Sequence, residues 1–421
     1  MISAPADLLH RLKRHAQEHV LAGWDGLAVE ARHTLVEQLA GIDFEELEAL
    51  FARRGEPHTA LPERESVHPL SVISPMELTT EDWDAGEAEL RAGRVAALVV
   101  AGGQGSRLGF DLPKGMYPIG PKDESLFQIH AEKVLALRCR YSTTLPLLVM
   151  TSPATHDETV RFFGTNRHFG LPADDVHFFR QHTMPALSLV DGKLLLEAPG
   201  KLFLSPNGHG GTLTALADTG LLGDLKRCGI RSVFYFQVDN PLVNIGDPAF
   251  VGRHVRDRSE ASSKVVFKEH PGEKVGLLAE VNSRCGIIEY SDLPKEWAEE
   301  RSPTGELVFR AGNPAIHLFD IAFLERITSG SDRLGLHIAR KKVTHFDPVR
   351  GAVVEPTTEN ALKFELFIFD ALPLAERTLA VSTDRCDEFA PLKNATGPDS
   401  PETVRQAILD HTARHAATPN H

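Results

Sequence analysis

The spacing of apolar residues divides the chain into a helical beginning and a longer region where strands alternate with helices. Within the first 70 residues, leucines recur on one helical face at Leu8 and Leu12, and again at Leu35 and Leu39, which predicts amphipathic helices. Farther along, short apolar runs of strand length are separated by helical stretches. The predicted strands lie at 95–100, 145–150, 176–179, 232–238, 265–267, 275–281 and 287–290.

Strands that alternate with helices are typical of an α/β protein with a mixed, mostly parallel sheet covered by helices. We therefore expect three regions: a helical N-terminal region at 1–90, a central α/β domain at 91–345 and a C-terminal lobe at 346–421. In the lobe, the apolar segment 361–376 is predicted to be a helix, and the last ten residues are predicted to be disordered.

The most informative segment reads LVVAGGQGSRLGFDLPKGMYPIG, where a predicted strand runs into a glycine-rich turn. Gly102, Gly103 and Gly105 allow backbone N–H groups to approach phosphate oxygens without an intervening Cβ. Shortly after them, Arg107 offers a planar fork of donors and Lys114 a compact positive charge. The segment therefore predicts a polyphosphate site and nucleotide chemistry.

Two other interpretations of this turn are open to test. Its GxGxxxG spacing is one residue longer than the dinucleotide motif, and Asp123 and Glu124, at the distance expected for a ribose contact, follow a proline-lysine loop rather than a strand. A turn without any ligand would leave Arg107 and Lys114 unexplained. A dehydrogenase would be recognised by stabilisation with NAD rather than UTP.

GGQGSRLG followed by PKGMYPIG resembles the signature of the UDP-N-acetylhexosamine and UDP-glucose pyrophosphorylases, which couple UTP to a sugar 1-phosphate and release pyrophosphate. Further segments resemble that family in the same order: FFRQHTMPAL, GHGGTLTAL, VDNPLVNIGDPAFVG, KVGLLAEV, GIIEYSD, GNPAIHLF, LHIARKK and FAPLKNATG. The resemblance implies a Rossmann-like, GT-A-like nucleotide-diphospho-sugar transferase fold.

The resemblance also implies roles for individual residues. Nucleotide contacts fall on Ala101, Gly102, Gly103, Gly105, Gln181, Gly208 and His209. Catalytic cations are Arg107 for the pyrophosphate, and Lys114 and Lys393 for the phosphates. Hexose contacts fall on Gly276, Glu289 and Asn313. His209 stands where the family carries asparagine in GNGG, so the sugar preference stays open.

Asp239 follows the apolar run SVFYFQV and should project from the C-terminal end of a buried strand. A carboxylate there suits Mg²⁺, a hard cation that takes oxygen ligands, and the family places its metal-binding aspartate at this VDN. The alternative is an Asx turn with Asn240 and Pro241. We expect Asp239 to hold Mg²⁺.

Composition narrows the remaining possibilities. The chain has 421 residues, of which 42% are hydrophobic, and a net charge of −13, which argues against binding a nucleic-acid polymer. No run approaches the roughly 18 apolar residues of a membrane span, and the N-terminus lacks the apolar core of a signal peptide.

Four scattered cysteines predict neither a zinc site nor disulfides, so we expect a cytoplasmic protein. His15 and His19 share a helix spacing but are expected to be solvated rather than metal-bound.

Together these features predict a uridylyltransferase that makes a UDP-sugar and pyrophosphate from UTP and a hexose 1-phosphate by Mg²⁺-assisted in-line displacement. N-acetylglucosamine 1-phosphate is the expected substrate, and glucose 1-phosphate is the alternative. A non-catalytic nucleotide-sugar-binding protein on the same fold is a more remote alternative, because fold alone does not fix function.

Overall fold

The computed structural model describes residues 4–56, 62–330 and 333–417. The α-helices in these ranges are α1 (Ala6–Arg14), α2 (Val29–Ala40), α3 (Phe44–Ala52), α4 (Thr80–Arg91), α5 (Leu126–Tyr141), α6 (His156–Thr165), α7 (Gly211–Asp218), α8 (Leu221–Arg227), α9 (Pro248–Arg256), α10 (Lys295–Ala298), α11 (Ile321–Ser329), α12 (Arg385–Glu388) and α13 (Pro401–Ala417). None of these helices is long and apolar enough to cross a membrane.

The strands of the same ranges are β1 (Val67–Pro69), β2 (Val95–Val100), β3 (Leu147–Thr151), β4 (Val176–Arg180), β5 (Thr183–Pro185), β6 (Leu187–Ser188), β7 (Leu196–Ala198), β8 (Lys201–Leu202), β9 (Leu204–Pro206), β10 (Ser232–Gln237), β11 (Ala261–Phe267), β12 (Leu277–Val281), β13 (Arg284–Ile288), β14 (Ala311–Gly312), β15 (His317–Asp320), β16 (His337–Lys341), β17 (His345–Asp347), β18 (Ala352–Val354), β19 (Ala361–Glu365) and β20 (Thr378–Ser382).

The chain forms two compact units, and each combines segments that are distant in the sequence. The smaller unit consists of Met1–Ala60, His182–His209 and Gly335–Phe367. The larger unit consists of Leu61–Gln181, Gly210–Leu334 and Ile368–His421. The boundaries predicted at 90 and 345 follow chain order, and a one-dimensional pattern does not show which distant segments assemble.

The larger unit is built on a mixed sheet with the strand order β1-β12-β14-β11-β15-β10-β2-β3-β4, with β13 beside β12 and β20 beside β11. Its centre is parallel from β10 through β2 and β3 to β4. β15 is antiparallel to both of its neighbours, β10 and β11. The central strands read VAALVV and SVFYFQ, continuous apolar runs that suit strands covered on both faces.

The strand directions bring several loops to one edge of this sheet. β2, β3, β4, β10 and β11 all end there, and antiparallel β15 begins there. Ala101 and Gln181 directly follow β2 and β4, and Asp239 is the second residue after β10. Asn313 lies in the loop that leads into β15. This C-terminal edge is where open α/β sheets hold their ligands.

The smaller unit packs α1, α2 and α3 on short antiparallel sheets, β16-β19-β6, β18-β17-β7-β8 and β5-β9. Its core includes Leu12, Leu35 and Leu39, which are fully buried together with Phe364. The predicted N-terminal helices are therefore confirmed by the burial of the leucines that indicated them.

Two predictions for the C-terminal part were wrong. The first half of the expected helix at 361–376 is strand β19, because buried Leu362 and Phe364 alternate with Lys363 and Glu365 and pair with β16. The second half is largely a 3-10 helix, Ile368–Leu374. The expected disorder of the last ten residues also fails as far as Ala417, where α13 ends; residues 418–421 lie outside the described ranges.

Candidate functional site

The glycine-rich loop after β2 folds back on itself. The Lys114 N–H donates to the Gly103 carbonyl at 3.0 Å, and the Gly105 N–H donates to the Leu112 carbonyl at 3.0 Å. A Cβ at Gly105 would lie 2.7 Å from both the ring and the carbonyl oxygen of Phe110. Close packing therefore requires glycine at this position. The two backbone hydrogen bonds hold the two sides of the loop together.

Gly102 and Gln181 lie in direct contact at the sheet edge. A Cβ on Gly102 would lie 2.4 Å from Oε1 of Gln181 and 3.4 Å from the Ser152 nitrogen. Gln181 is buried, and its backbone N–H donates to the Thr151 carbonyl at 2.8 Å. The structure therefore brings together two predicted nucleotide-binding residues that follow different strands, β2 and β4.

Lys114 and Asp239 form an ion pair in front of the sheet. Nζ of Lys114 lies 2.9 Å from Oδ2 of Asp239, and the side chains are 17% and 13% exposed. Lys114 begins the 3-10 turn Lys114–Met116 after the glycine loop, and Asp239 follows β10. The predicted phosphate-binding cation and the predicted metal-binding carboxylate thus meet, although 125 residues separate them.

The side chain of Asn240 fastens the loop after β10 to the segment after α12. Its Nδ2 donates to the Glu388 carbonyl at 2.6 Å, and its Oδ1 accepts from the Ala390 N–H at 3.1 Å. Oδ1 also accepts from the Leu242 N–H at 3.4 Å. An Asx turn therefore exists here, but Asn240 makes it and not Asp239.

Lys393 belongs to the segment after α12 that Asn240 joins to the loop after β10. The N–H of the preceding residue, Leu392, donates to the Asp239 carbonyl at 2.8 Å. Lys393 is half-buried, and its Nζ lies 5.8 Å from the centre of the Phe389 ring. The residue that precedes the predicted catalytic lysine is thus bonded to the backbone of the predicted metal ligand.

A buried lysine supports this attachment and was not predicted from the sequence. Nζ of Lys264, on β11, donates to Oδ2 of Asp247 at 2.6 Å and to Oε1 of Glu388. The Thr383 hydroxyl also donates to Oε1 of Glu388 at 2.9 Å. Burial alone would lower the pKa of Lys264, but the two carboxylates outweigh it and raise the pKa. A lysine inside the apolar run SSKVVF was the available signal, because a buried charge requires partners.

The predicted hexose-binding residues also lie together in the larger unit. A Cβ on Gly276 would lie 3.3 Å from Oε1 of Glu289. The Asn313 N–H donates to the Gly276 carbonyl at 2.8 Å, and its Oδ1 accepts from the Ala315 N–H at 2.9 Å. Glu289 and Asn313 are half-buried. Gly276 thus lies between the carboxylate of Glu289 and the backbone of Asn313, so the three predicted hexose-binding residues are neighbours.

Arg107 is exposed on the 3-10 turn Ser106–Leu108 of the glycine loop. Its long side chain extends from a loop whose other cation, Lys114, is already engaged with Asp239. The structure places Arg107 on the predicted loop, and its predicted role with the pyrophosphate stays a prediction.

Gly208 and His209 belong to the smaller unit. Gly208 has φ +83°, and a Cβ there would lie 2.4 Å from the Leu366 carbonyl oxygen, so only glycine fits. The His209 ring lies 5.5 Å from the Phe367 ring. Burial, and secondly the neighbouring charge of His337, lower the pKa of His209 to about 4. His209 is therefore a neutral ring at pH 7, with one donor and one acceptor nitrogen.

Comparisons of the sequence and the fold relate this chain to known proteins. A family model described as UTP–glucose-1-phosphate uridylyltransferase matches residues 44–397. UDP-N-acetylglucosamine pyrophosphorylase from Saccharomyces cerevisiae is 39% identical over 349 residues, 80% of this chain and 73% of that protein. UDP-N-acetylhexosamine pyrophosphorylase-like protein 1 from Xenopus tropicalis is 37% identical over 95% of this chain and 82% of its own length. The crystal structure of a UDP-N-acetylglucosamine pyrophosphorylase from Trypanosoma brucei superposes with a TM-score of 0.81 at 28% identity, covering 98% of this chain and 86% of that one.

Proposed function

Because the chain belongs to the UTP–glucose-1-phosphate uridylyltransferase family, we propose that it transfers the uridylyl group of UTP to N-acetylglucosamine 1-phosphate and releases pyrophosphate. The observation that carries the proposal is the meeting of Lys114 and Asp239 beside the glycine-rich loop. The similar proteins named for UDP-N-acetylglucosamine synthesis support the choice of sugar.

In the proposed reaction, an oxygen of the sugar phosphate attacks the α-phosphorus of UTP, and the bond from that phosphorus to the β-phosphate oxygen breaks. Such a transfer needs positioning and charge neutralisation more than covalent catalysis. The backbone from Ala101 to Gly105 would hold the nucleotide phosphates. Lys114 would donate to the transferring phosphate, and Arg107 to the departing pyrophosphate. Lys393 would approach the phosphates from the loop anchored at Asp239.

Asp239 is the residue that we propose to hold Mg²⁺. Its carboxylate fits this role, because it lies at the end of a buried strand and next to the cation assigned to the phosphates. One carboxylate oxygen, phosphate oxygens and water make an ordinary Mg²⁺ shell. When bound, the ion offsets phosphate charge. Lys114 would then exchange its contact with Asp239 for one with the substrate.

Selectivity would come from two groups of residues. The buried amide of Gln181 can donate to and accept from the uracil edge. The group of Gly276, Glu289 and Asn313 would bind the hexose hydroxyls and the acetamido group, and a sugar that lacks a partner would leave a half-buried polar group without its hydrogen bond. We expect N-acetylglucosamine 1-phosphate to be preferred over glucose 1-phosphate by roughly ten- to thirtyfold in kcat/KM.

We also propose a cytoplasmic location. The four cysteines, Cys139, Cys228, Cys285 and Cys386, form no disulfide, and three of them are exposed. Exposed thiols suit a reducing compartment, in which glutathione and thioredoxin keep cysteines reduced. Fractionation of the source cells with an antibody against the chain tests this location, and recovery outside the cytoplasmic fraction would contradict it.

Pyrophosphate release from UTP with a panel of sugar 1-phosphates tests the proposed function. Turnover with N-acetylglucosamine 1-phosphate is expected, with ATP in place of UTP as the control for the base. Equal or better use of glucose 1-phosphate would establish the alternative substrate. If UTP raises the melting temperature but no sugar phosphate is turned over, the chain is a binding protein instead.

A further inference from the structure

Three metal-ligating side chains to which the proposed transfer reaction assigns no role converge between α12 and α13. His411 and His415 lie one helical turn apart on α13 and therefore share a face, with ring centres 4.1 Å apart. Asp387 lies on α12. One ligand atom from each of the three side chains lies within 4.8 Å of the others.

The hydrogen bond of His415 prepares this residue for a metal. Its Nδ1 lies 2.9 Å from the backbone carbonyl oxygen of His411. A carbonyl oxygen only accepts, so Nδ1 carries the hydrogen and Nε2 keeps its lone pair. Histidines that bind metals usually donate their other ring N–H in this way, because the bond fixes the tautomer and the ring orientation.

Arg414 holds the carboxylate of Asp387 beside the two imidazoles. Its Nε and one terminal nitrogen lie 3.3 Å and 3.2 Å from Oδ1 of Asp387. A carboxylate has two acceptor oxygens, so Asp387 can accept from Arg414 and coordinate a cation at the same time. The three side chains also line a cavity of about 580 Å³ that gives an ion access from solvent.

We propose that Asp387, His411 and His415 bind a borderline divalent cation such as Zn²⁺ at a site separate from Asp239. Two imidazole nitrogens and one carboxylate oxygen are ligands that Zn²⁺ accepts, with water as the fourth. Mg²⁺ prefers an all-oxygen shell. Bonds of about 2 Å require the ligand atoms to approach one another, and rotation of the half-buried Asp387 and His411 side chains allows this while His415 keeps its hydrogen bond.

The position of the proposed Zn²⁺ site between α12 and α13 predicts a structural role for the ion. Asp387 lies just before the loop that carries Lys393, and the two histidines lie on the helix that follows this loop. A bound ion would therefore join α12 to α13 and fix both sides of the loop. We expect Zn²⁺ to stabilise the C-terminal segment without taking part in uridylyl transfer.

The pair His15 and His19, which has the same spacing, illustrates why spacing alone is insufficient. Nδ1 of His15 lies 2.8 Å from Oε1 of Glu48, and Nε2 of His19 lies 2.8 Å from the Leu194 carbonyl oxygen. The two rings are thus committed to different partners. The spacing of His411 and His415 was visible in the sequence, but the third ligand, Asp387, is brought in only by the fold.

Titration calorimetry on the full chain, without a histidine tag and after removal of bound metal by a chelator, tests the proposal. We expect one Zn²⁺ per chain and no comparable binding of Mg²⁺. His411→Ala and His415→Ala should each weaken Zn²⁺ binding by more than about tenfold, since even partners outside the coordination shell are worth ten- to a hundredfold. His33→Ala is the matched control, because His33 is an exposed helical histidine 3.4 Å from Glu37 at the same spacing.

A second readout separates ligand loss from misfolding. The metal-free variants should melt at the temperature of the metal-free parent, and only the parent and the control should gain stability with Zn²⁺. His415 is exposed, so its replacement disturbs the fold least. Absence of Zn²⁺ binding by the parent, or unchanged affinity in both histidine variants, would overturn the site. Neither result depends on the proposed transferase activity.

Discussion

Replacing Lys264 with methionine should destabilise the larger unit strongly. Methionine keeps most of the length of the side chain but removes the charge that Asp247 and Glu388 share. Lys264 is 1% exposed, so water cannot replace the lost cation. The substitution would leave the carboxylates of Asp247 and Glu388 without the cation that they share.

The size of the effect follows from burial. Removing one partner of a buried ion pair costs about 3–5 kcal/mol, because the remaining charge stays desolvated. For a unit of this size, 1 kcal/mol corresponds to about 2 °C in melting temperature, which predicts a loss of about 6–10 °C. We also expect kcat to fall, since Glu388 anchors Asn240 and the loop of Lys393.

The assay is thermal denaturation of the intact chain, with Lys226→Met as the matched control. Lys226 also lies 2.6 Å from a carboxylate, Glu325, but these side chains are 56% and 33% exposed. An exposed pair contributes at most about 1 kcal/mol. The double variant Lys264→Met/Glu388→Gln closes a mutant cycle, and a coupling energy of about 1–3 kcal/mol is expected.

The stabilisation that Lys264 contributes should depend on pH in a defined direction. Because the folded-state pKa of Lys264 is raised, its stabilisation is complete below the ordinary lysine pKa and is lost only as pH rises through the higher folded value. The difference between parent and variant should therefore stay constant between about pH 7 and pH 9. If Lys264→Met melts within 2 °C of the parent, as the exposed control should, the argument from burial is refuted.

Three further predictions concern the proposed site. Lys114→Ala should lower kcat/KM for pyrophosphate release at least about a hundredfold, since it removes a charge from the transferring phosphate. Asp239→Asn should abolish turnover at ordinary Mg²⁺ while weak UTP binding persists in calorimetry, because the amide lacks the charge that holds the ion. His209→Asn should increase the preference for N-acetylglucosamine 1-phosphate over glucose 1-phosphate in the same assay, because the resemblance to the family implies asparagine at this position.

Each of these predictions has a clear counter-result. Activity of Lys114→Ala within threefold of the parent would remove the lysine from the mechanism. Full turnover of the parent in excess EDTA would exclude the role of Asp239 in metal binding. An unchanged ratio of kcat/KM values for the two sugars in His209→Asn would mean that residue 209 does not determine the sugar preference.

The strands and the glycine-rich loop were predictable, because the residues that form each of them are neighbours in the sequence. Apolar runs gave strands at 95–100 and 232–238, and the structure has them at Val95–Val100 and Ser232–Gln237. The edge shared by such strands then indicated that the glycine loop and Asp239 would lie close to one another. Their contact through Lys114 confirms that placement.

The remaining features depend on long-range contacts. Segment 361–365 has an apolar content that suits helix or strand, and its pairing with β16 decides in favour of the strand. The partners Lys264 and Glu388 are 124 residues apart, and Asp387 meets His411 only after α12 and α13 have packed. Spacing rules describe neighbours along one element, so they do not reveal such partners.

Two lysine–carboxylate pairs show how burial separates function from structure in this chain. The side chains of Lys114 and Asp239 are 17% and 13% exposed, whereas those of Lys264 and Asp247 are 2% and 16% exposed, so the two pairs differ in the burial of the lysine. A substrate phosphate or a cation can reach the first pair and exchange its contacts, because both charges border the solvent. In the second pair the lysine is buried between two carboxylates, so its charge stabilises the fold. The first pair is therefore suited to catalysis, and the second holds in place the loop on which the first depends.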